Sequence, residues 1–253
     1  MRYYPPVGEN ELKEAEVATM FNAIAQRYDK LNRVLSFGLD RVWRTAAIRR
    51  LGNQFGKRVL DVATGTGDVA FAMLELKPEE IMGVDISDEM LQIARQKSSR
   101  YDGESIYFVK ASAEQLPFES NSFNGAIVAF GVRNFANLDA GLRSIKRVLK
   151  PQAPLVVLEF SQPKSRLIQM LYRIYSRWIL PRIGRVLSGV TGPYTYLPDS
   201  IEVFPSGQSF LARLQQCGFE RTRAEPLTFG IVSLYIGYAT EDHHDETGGI
   251  ERT

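Results

Sequence analysis

A few polar side chains stand where a chain seldom puts them without a task. Asp61 interrupts the apolar run Val59-Leu60-Asp61-Val62-Ala63, and a buried carboxylate needs a partner or a ligand because low dielectric penalises its charge. Asp85 closes a second short apolar run, Ile81-Met82-Gly83-Val84-Asp85. It follows Gly65 by about 20 residues, where an acid can accept hydrogen bonds from both hydroxyls of a ribose. Arg133 and Asn134 stand between Phe130 and Phe135. A guanidinium beside an amide is suited to holding an oxyanion or polarising a hydroxyl. The plainer reading of Arg133, a surface salt bridge, sits poorly with two flanking phenylalanines.

These groups are positioned by recognisable elements. Val59 to Ala63 reads as a buried strand, Gly65-Thr66-Gly67 as a tight turn, and Val69-Ala70-Phe71-Ala72-Met73-Leu74 as a helix. Strand, glycine turn and helix form the nucleotide-binding corner of a doubly wound α/β sheet. Gly65-Thr66-Gly67-Asp68-Val69-Ala70 also fits the loose dinucleotide fingerprint, but a pyrophosphate would meet Asp61 and Asp68 at the helix N-terminus. Two carboxylates there favour a ligand carrying ammonium and sulfonium charge, and S-adenosylmethionine fits that description. Asp68 has a second reading, a first-turn acid favoured by the helix dipole whatever binds. The loop Ala111-Ser112-Ala113-Glu114-Gln115-Leu116-Pro117-Phe118 follows the third strand, where Ser112 and the backbone at Ala113 could read the adenine edge and Leu116 cover its face. The competing reading is a polar turn ending in a core Leu-Pro-Phe.

Composition bounds the class. The chain has 253 residues, 44% of them hydrophobic, a formal net charge of +2 and one cysteine, Cys217. One large domain with an ample core is expected. Nucleic-acid binding is not indicated, nor is a disulfide framework. No apolar run is long enough to span a bilayer, and Met1-Arg2-Tyr3-Tyr4-Pro5-Pro6 lacks the apolar core of a secretory signal. A cytoplasmic protein is expected. The only histidines, His243 and His244, lie among Glu241, Asp242, Asp245 and Glu246, which reads as a solvated, disordered tail and not as a metal site.

Along the chain, residues 9–26 read as a helix with Val17, Met20, Phe21 and Ile24 at helical spacing, and a second helix carries Val42, Trp43, Ala46, Ala47 and Leu51. Strands are expected near 58–63, 81–85, 105–110, 124–130 and 154–159, with helices at 68–75, 87–97 and 137–149 between them. A helix at 207–216 and an antiparallel pair at about 219–225 and 229–239 complete a seven-stranded, Rossmann-like α/β domain of the class I methyltransferase kind. The expected organisation is one domain over 1–240. It has a helical cap at 1–52, a basic amphipathic insertion at 160–206 and a polar tail at 241–253. Phe160 to Pro198 contains no acid but carries Lys164, Arg166, Arg173, Arg177, Arg182 and Arg185. Arg166, Arg173 and Arg177 share one arc, opposite Leu167, Leu171, Ile174, Tyr175 and Trp178. Such a helix suits an anionic membrane surface or a greasy lid; a core helix with a solvated basic face is the competing reading.

The loop after the fourth strand lacks both the Asn/Asp-Pro-Pro-Tyr of amine methyltransferases and the cysteine nucleophile of RNA cytosine methyltransferases. Asp-Val-Ala-Thr-Gly-Thr-Gly-Asp at 61–68, Phe-Gly-Val-Arg-Asn-Phe at 130–135 and Leu-Glu-Phe-Ser-Gln-Pro at 158–163 resemble instead the ubiquinone/menaquinone biosynthesis C-methyltransferases. Phe-Asn-Ala-Ile-Ala-Gln-Arg-Tyr-Asp-Lys-Leu-Asn at 21–32 and Leu-Pro-Arg-Ile-Gly at 180–184 extend the resemblance, which runs from about 16 to 239. Within the family, Tyr194-Thr195-Tyr196-Leu197-Pro198-Asp199-Ser200-Ile201 and Phe204-Pro205 look closest to enzymes of menaquinone or phylloquinone formation. Two departures are Gln152-Ala153 in place of a glycine pair, and Ser112 where related enzymes often carry Asp or Asn.

The resemblance implies methyl transfer from S-adenosylmethionine to a ring carbon of a prenylated or phytylated naphthoquinol, with a benzoquinol as the alternative nucleus. It implies roles for Arg133, Asn134 and Tyr28 in organising the phenolate that makes the carbon nucleophilic, and for Asp61, Gly65, Thr66, Gly67, Asp85, Ser112 and Ala113 in holding the donor. An arginine stays protonated, so Arg133 is expected to act by its charge. Two readings outside this class are an NAD-dependent oxidoreductase, which the acids and the Arg-Asn loop disfavour, and a non-catalytic nucleoside-binding protein.

Overall fold

The computed structural model describes residues 10–54, 56–101, 105–179, 182 and 192–241. The histidines and nearly all of the acidic tail, Arg185 and most of the 180–184 motif lie outside them. Seven strands form one sheet in the order β3-β2-β1-β4-β5-β7-β6. β1 (Arg58–Val62), β2 (Glu80–Asp85), β3 (Ile106–Lys110), β4 (Gly125–Ala129) and β5 (Pro154–Phe160) pair in parallel. β7 (Val232–Ala239) runs antiparallel between β5 and β6 (Phe219–Leu227). The expected strands and the closing antiparallel pair are therefore present. Chain order reverses at β1, whose neighbours are β2 and β4, and the loops leaving their C-terminal ends diverge into a crevice.

Burial on both faces explains the near-continuous apolar strands. Val59, Ile127 and Val156 pack toward α3 (Leu39–Arg50), α4 (Asp68–Met73) and α5 (Asp88–Ser98). Leu60, Ala126 and Leu155 pack with the opposite cluster, toward α6 (Leu138–Val148) and the later helix Gln208–Gln216. The turn at Gln152, where a glycine is the cheap residue, keeps a left-handed φ of 62°; hydrogen bonds from Gln152 to Ala239 and Glu220 hold it.

The N-terminal segment differs from expectation. It holds three helices, α1 (Asn10–Ile24), α2 (Tyr28–Leu35) and α3, where periodicity indicated two. Moreover, α3 is not a cap: Trp43, Ala47, Ile48 and Leu51 are buried in the sheet's own core. α1 and α2 lie over the crevice, and α3 borders it from the sheet side through Trp43 and Arg44. The insertion forms α7 (Arg166–Ile174), continued by a π-helical turn Tyr175–Ile179, and α8 (Gly192–Val203). No helix among the described residues is long and apolar enough to cross a membrane.

Candidate active site

Two cavities meet at the C-terminal ends of β1 and β4. The first is a cleft lined by Val62, Ala63 and Gly65 of the glycine turn, Asp85 and Ile86 after β2, Ala111, Ala113 and Glu114 after β3, and Asn134 and Phe135 after β4. Val17 and Phe21 of α1 form its outer wall. The helix is tied down by Lys13 Nζ donating to the Phe135 carbonyl at 2.7 Å, and by Ser87 Oγ donating to Asn22 Oδ1 at 2.6 Å.

Asp85 stands on the floor of this cleft. Its Oδ2 accepts from Gly65 N at 2.8 Å and its Oδ1 from Ser87 N at 2.9 Å. Each oxygen keeps a lone pair for a further donor, so the carboxylate is fixed in place to receive two hydroxyls. Burial raises its pKa above the ordinary value, opposed by those backbone N–H groups. Gly65 takes φ +56°, which brings its N–H to Asp85, and Gly67 takes φ +83° as the residue before α4. Both conformations are ones a glycine adopts cheaply.

Asp61 is 1% exposed and accepts from Thr64 Oγ1 at 2.6 Å. Burial pushes its carboxyl up to about 7, the Thr64 hydroxyl opposing and the charge of Asp85 adding. A cation beside it would restore the ionised form. Asp68 is not the free carboxylate that its place at the helix start suggests. Its two oxygens are held by Arg44 at 2.7 Å and Lys97 at 2.8 Å, and these partners keep its pKa low despite burial. Its charge is spent within the protein, so the favourable field for a cation comes from Asp61 and Asp85.

The side chains of the turn are structural too. Thr66 Oγ1 donates to Asp29 Oδ1 at 2.5 Å, and Lys97 Nζ bridges Asp29 at 2.5 Å and Asp68. Arg44 also reaches the buried Asp40 at 3.3 Å. A continuous chain of charges, Asp40–Arg44–Asp68–Lys97–Asp29, thus buckles α2 and α3 onto the glycine turn. Apart from the i,i+4 pair Asp40–Arg44, these contacts join residues 24 or more positions apart, so the turn alone does not reveal them.

Ser112 does not reach the cleft wall. Its hydroxyl is engaged with Glu114 at 2.5 Å and Glu14 at 3.1 Å, while its neighbours Ala111, Ala113 and Glu114 line the cavity. Leu116 lies in the core, 3% exposed, so the polar-turn reading holds there. Glu114 Oε1 accepts from Ala136 N at 2.6 Å, joining the loops after β3 and β4.

The second cavity encloses about 360 Å³, within the range of sites for small apolar ligands. Its walls include Met20, Ile24, Trp43, Phe130, Phe160, Tyr172 and Tyr196, with Arg133 as a cation among them. Tyr28 borders both cavities. Burial raises its hydroxyl pKa, against a hydrogen bond with Asn32 and the charges of Arg133 and Arg44; it remains a neutral donor. Arg133 and Asn134 share one 3₁₀ turn but serve different cavities. Asn134, 8% exposed, lines the cleft and accepts from Tyr196 Oη at 3.2 Å.

Arg133 has a partner that the loop did not announce. Its Nη1 donates to Glu159 Oε1 at 2.5 Å and to the Phe130 carbonyl at 2.9 Å. The two side chains are 8% and 0% exposed, and the guanidinium carbon lies 5.5 Å from the Phe160 ring centre. Burial raises the pKa of Glu159, while Arg133 opposes that rise. Nε of Arg133 is buried without a hydrogen-bond partner, a donor that an oxygen in the cavity could satisfy. Glu159 was detectable: it is the one acid in the otherwise apolar strand Pro154–Phe160.

A seven-stranded sheet with an acid-floored cleft at the β1 switch point defines a class I, Rossmann-like methyltransferase, and the residues present fit S-adenosylmethionine as its donor. Among solved structures, a SAM-dependent methyltransferase from Aquifex aeolicus superposes with a TM-score of 0.63 at 18% identity, over 87% of this chain and 98% of that one. The model of the ubiE/COQ5 methyltransferase family matches residues 9–239, and the chain belongs to that family. The ubiquinone/menaquinone biosynthesis C-methyltransferase UbiE of Syntrophotalea carbinolica is 48% identical over 86% of this chain and 92% of its own length. The demethylmenaquinone methyltransferase of Deinococcus radiodurans is 46% identical over 92% of this chain and 96% of its own. Family membership removes the oxidoreductase reading.

Proposed function

We propose that the chain methylates a ring carbon of a prenylated or phytylated naphthoquinol, the last step of phylloquinone or menaquinone biosynthesis, with S-adenosylmethionine as donor. The observation that carries this reading is the aromatic-walled cavity lined by the Arg133 guanidinium, opening beside the acid-floored cleft and sharing Tyr28 and Phe130 with it; the other lining arginine, Arg44, is paired with Asp40 and Asp68. The names of the relatives above supply the quinone class.

The donor supplies an electrophilic methyl group; the remaining requirements fall on the protein. Asp85 accepts hydrogen bonds from the donor's sugar, and Asp61 with Asp85 favours its positive charges. An aromatic ring carbon is a poor nucleophile until a neighbouring hydroxyl ionises. In this reading Arg133 lowers the cost of that ionisation by placing a fixed guanidinium at the oxygen, which needs no reorganisation during reaction. Glu159 and the Phe130 carbonyl hold the guanidinium plane. Tyr28, neutral and half-buried, donates from the boundary between the cavities. Apolar walls exclude water and orient ring against methyl. Residues 164–179 bear on the tail: Ile168, Leu171, Tyr172 and Tyr175 line the cavity from α7 and its π turn, so the helix serves as a lid and not as a core element.

The test is direct. The protein is given radiolabelled donor with demethylated naphthoquinol or with 2-methoxy-6-prenyl benzoquinol, each reduced in place. Label in the naphthoquinol product, at a rate at least tenfold above the benzoquinol, is the expected result. Preferential labelling of the benzoquinol would move the reading to the other branch.

A further inference from the structure

Among the described residues, two phenylalanines combine backbone strain with exposure. Phe37, between α2 and α3, has φ 53° and is 79% exposed; Phe229, between β6 and β7, has φ 59° and is 80% exposed. A left-handed backbone disfavours a bulky side chain, and water disfavours an exposed ring. The two tips come from segments far apart in sequence, yet both border the mouth of the aromatic cavity, with Leu171 of α7, itself exposed, completing the rim. The Phe37 ring lies 6.0 Å from that of Tyr175. The adjoining helix adds Leu167, Ile174 and Trp178, exposed by 60%, 48% and 60%.

The charge around this rim has one dominant sign. Lys164, Arg166, Arg173 and Arg177 are all exposed, and the stretch 160–179 contains no acid. Arg177 reaches Glu202 of α8 at a long 3.4 Å.

We infer that this rim is a bilayer-docking face: Phe37 and Phe229 enter the acyl region of an anionic membrane on either side of the cavity mouth, so that an apolar-tailed substrate passes from the bilayer to the cavity without crossing water. The inference rests on the quinol reading above for the tail, and on the rim itself for the membrane. Continuity decides for a bilayer over a second copy of the chain. The strained rings surround an opening that must stay accessible to a water-insoluble molecule, and the flanking cations match anionic headgroups.

The test uses the full chain with phosphatidylcholine vesicles, with and without phosphatidylglycerol, followed by flotation. Binding to the anionic vesicles is expected, weakened by salt. Phe37→Ser or Phe229→Ser should each lower partitioning roughly tenfold or more, the loss of one buried ring, with melting temperature unchanged. Fluorescence of Trp178 should be quenched by lipids brominated on their acyl chains, and that quenching should disappear in Trp178→Phe. Absence of vesicle binding, or binding indifferent to both serine variants, overturns the inference. So does a concentration-dependent dimer that the serine variants dissolve, which would make the face a protein interface. Methyl transfer to a short-chain, water-soluble demethylated naphthoquinol is measured in parallel. Turnover without vesicle binding removes the docking face alone, whereas vesicle binding without turnover removes the substrate reading alone.

Discussion

Glu159→Gln is the most informative single change at this site, because it separates two roles for the Arg133–Glu159 pair. A phenolate in hydrogen-bond contact with the guanidinium lies about 4 Å from its charge, worth about 4 kcal/mol at an effective dielectric of ~20. The Glu159 carboxylate, on Nη1 of the same guanidinium, lies roughly 7 Å from that phenolate and opposes it by about 2 kcal/mol. Glu159 thus halves the field of Arg133 while fixing its direction. Glutamine keeps a carbonyl for Nη1 but removes the opposing charge. The substrate hydroxyl should then ionise about 1–2 pH units lower, at about 1.4 kcal/mol per pH unit.

The assay is single-turnover methyl transfer across pH 6 to 10, with donor affinity measured by calorimetry. The acid limb of the rate profile should move to lower pH, while the plateau stays within about tenfold of the parent and donor affinity is unchanged. Some loss of thermal stability is expected, since the guanidinium is left buried without an anion. Arg133→Ala provides the counterpart. Turnover should fall by roughly 10²–10³, the usual loss for one electrostatic donor, and Arg133→Lys should recover only part because a point charge replaces a fork. A loss of 10³ or more at every pH in Glu159→Gln would refute the reasoning and make Glu159 the proton acceptor. An unmoved acid limb would show that its charge does not reach the substrate.

Other expectations follow from the cleft. Asp61, with its folded pKa at about 7 against an ordinary 3.8, binds a proton in the folded state that the unfolded chain has released. Its contribution is therefore present below pH 4 and lost as pH rises through 7, a span worth on the order of 2–4 kcal/mol. Thermal melts of Asp61→Asn from pH 4 to 8 should show a flatter decline, and calorimetry should show donor affinity that no longer strengthens toward pH 7. Asp85→Ala should weaken donor binding by roughly 1.5–3 kcal/mol through lost charge-assisted hydrogen bonds; unchanged affinity would take Asp85 out of the site. A methyl group at Gly131 would fall 2.4 Å from the Cβ of Ala63, so Gly131→Ala should cost about 1–3 kcal/mol of stability. Because Ala63 itself has φ 56°, adding Ala63→Gly should restore most of that loss in a denaturant titration.

The frame of the fold was legible because it depends on short-range pattern. Strands buried on both faces are apolar throughout, and the turns between them carry glycine or proline, so each parallel strand could be placed within a residue or two. Asp85 was legible for a similar reason: the distance from glycine turn to second strand end is set by the βαβ unit. Helix α2 escaped because its buried positions reduce to Leu31, too few for a periodic signal. The misplacement of α3 had another cause. Its apolar face, Trp43, Ala47, Ile48 and Leu51, would suit a cap as well as a sheet layer, and only tertiary contact with Val59, Ile127 and Val156 decides.

Charge compensation is the property that sequence conceals most completely, and it changed the chemistry assigned to two residues. By sequence Asp68 reads as a field source beside Asp61, yet Arg44 and Lys97 neutralise it across 24 and 29 positions. Arg133 reads as a full charge, yet Glu159 sits 26 positions away and shares its Nη1. Pairing of this kind obeys no periodicity, since it needs only that two strand ends or two helix faces meet. Solvation nevertheless leaves a trace. An acid in the middle of a buried strand is costly unless something answers it, and that reasoning, applied to Asp61 in β1, applies equally to Glu159 in β5. Asp61 is answered by the Thr64 hydroxyl and Glu159 by Arg133. In the proposed reading the donor's positive charge completes the answer to Asp61, and the two interior acids then mark the two halves of the site, one beside the methyl group's source and one behind the charge that readies its destination.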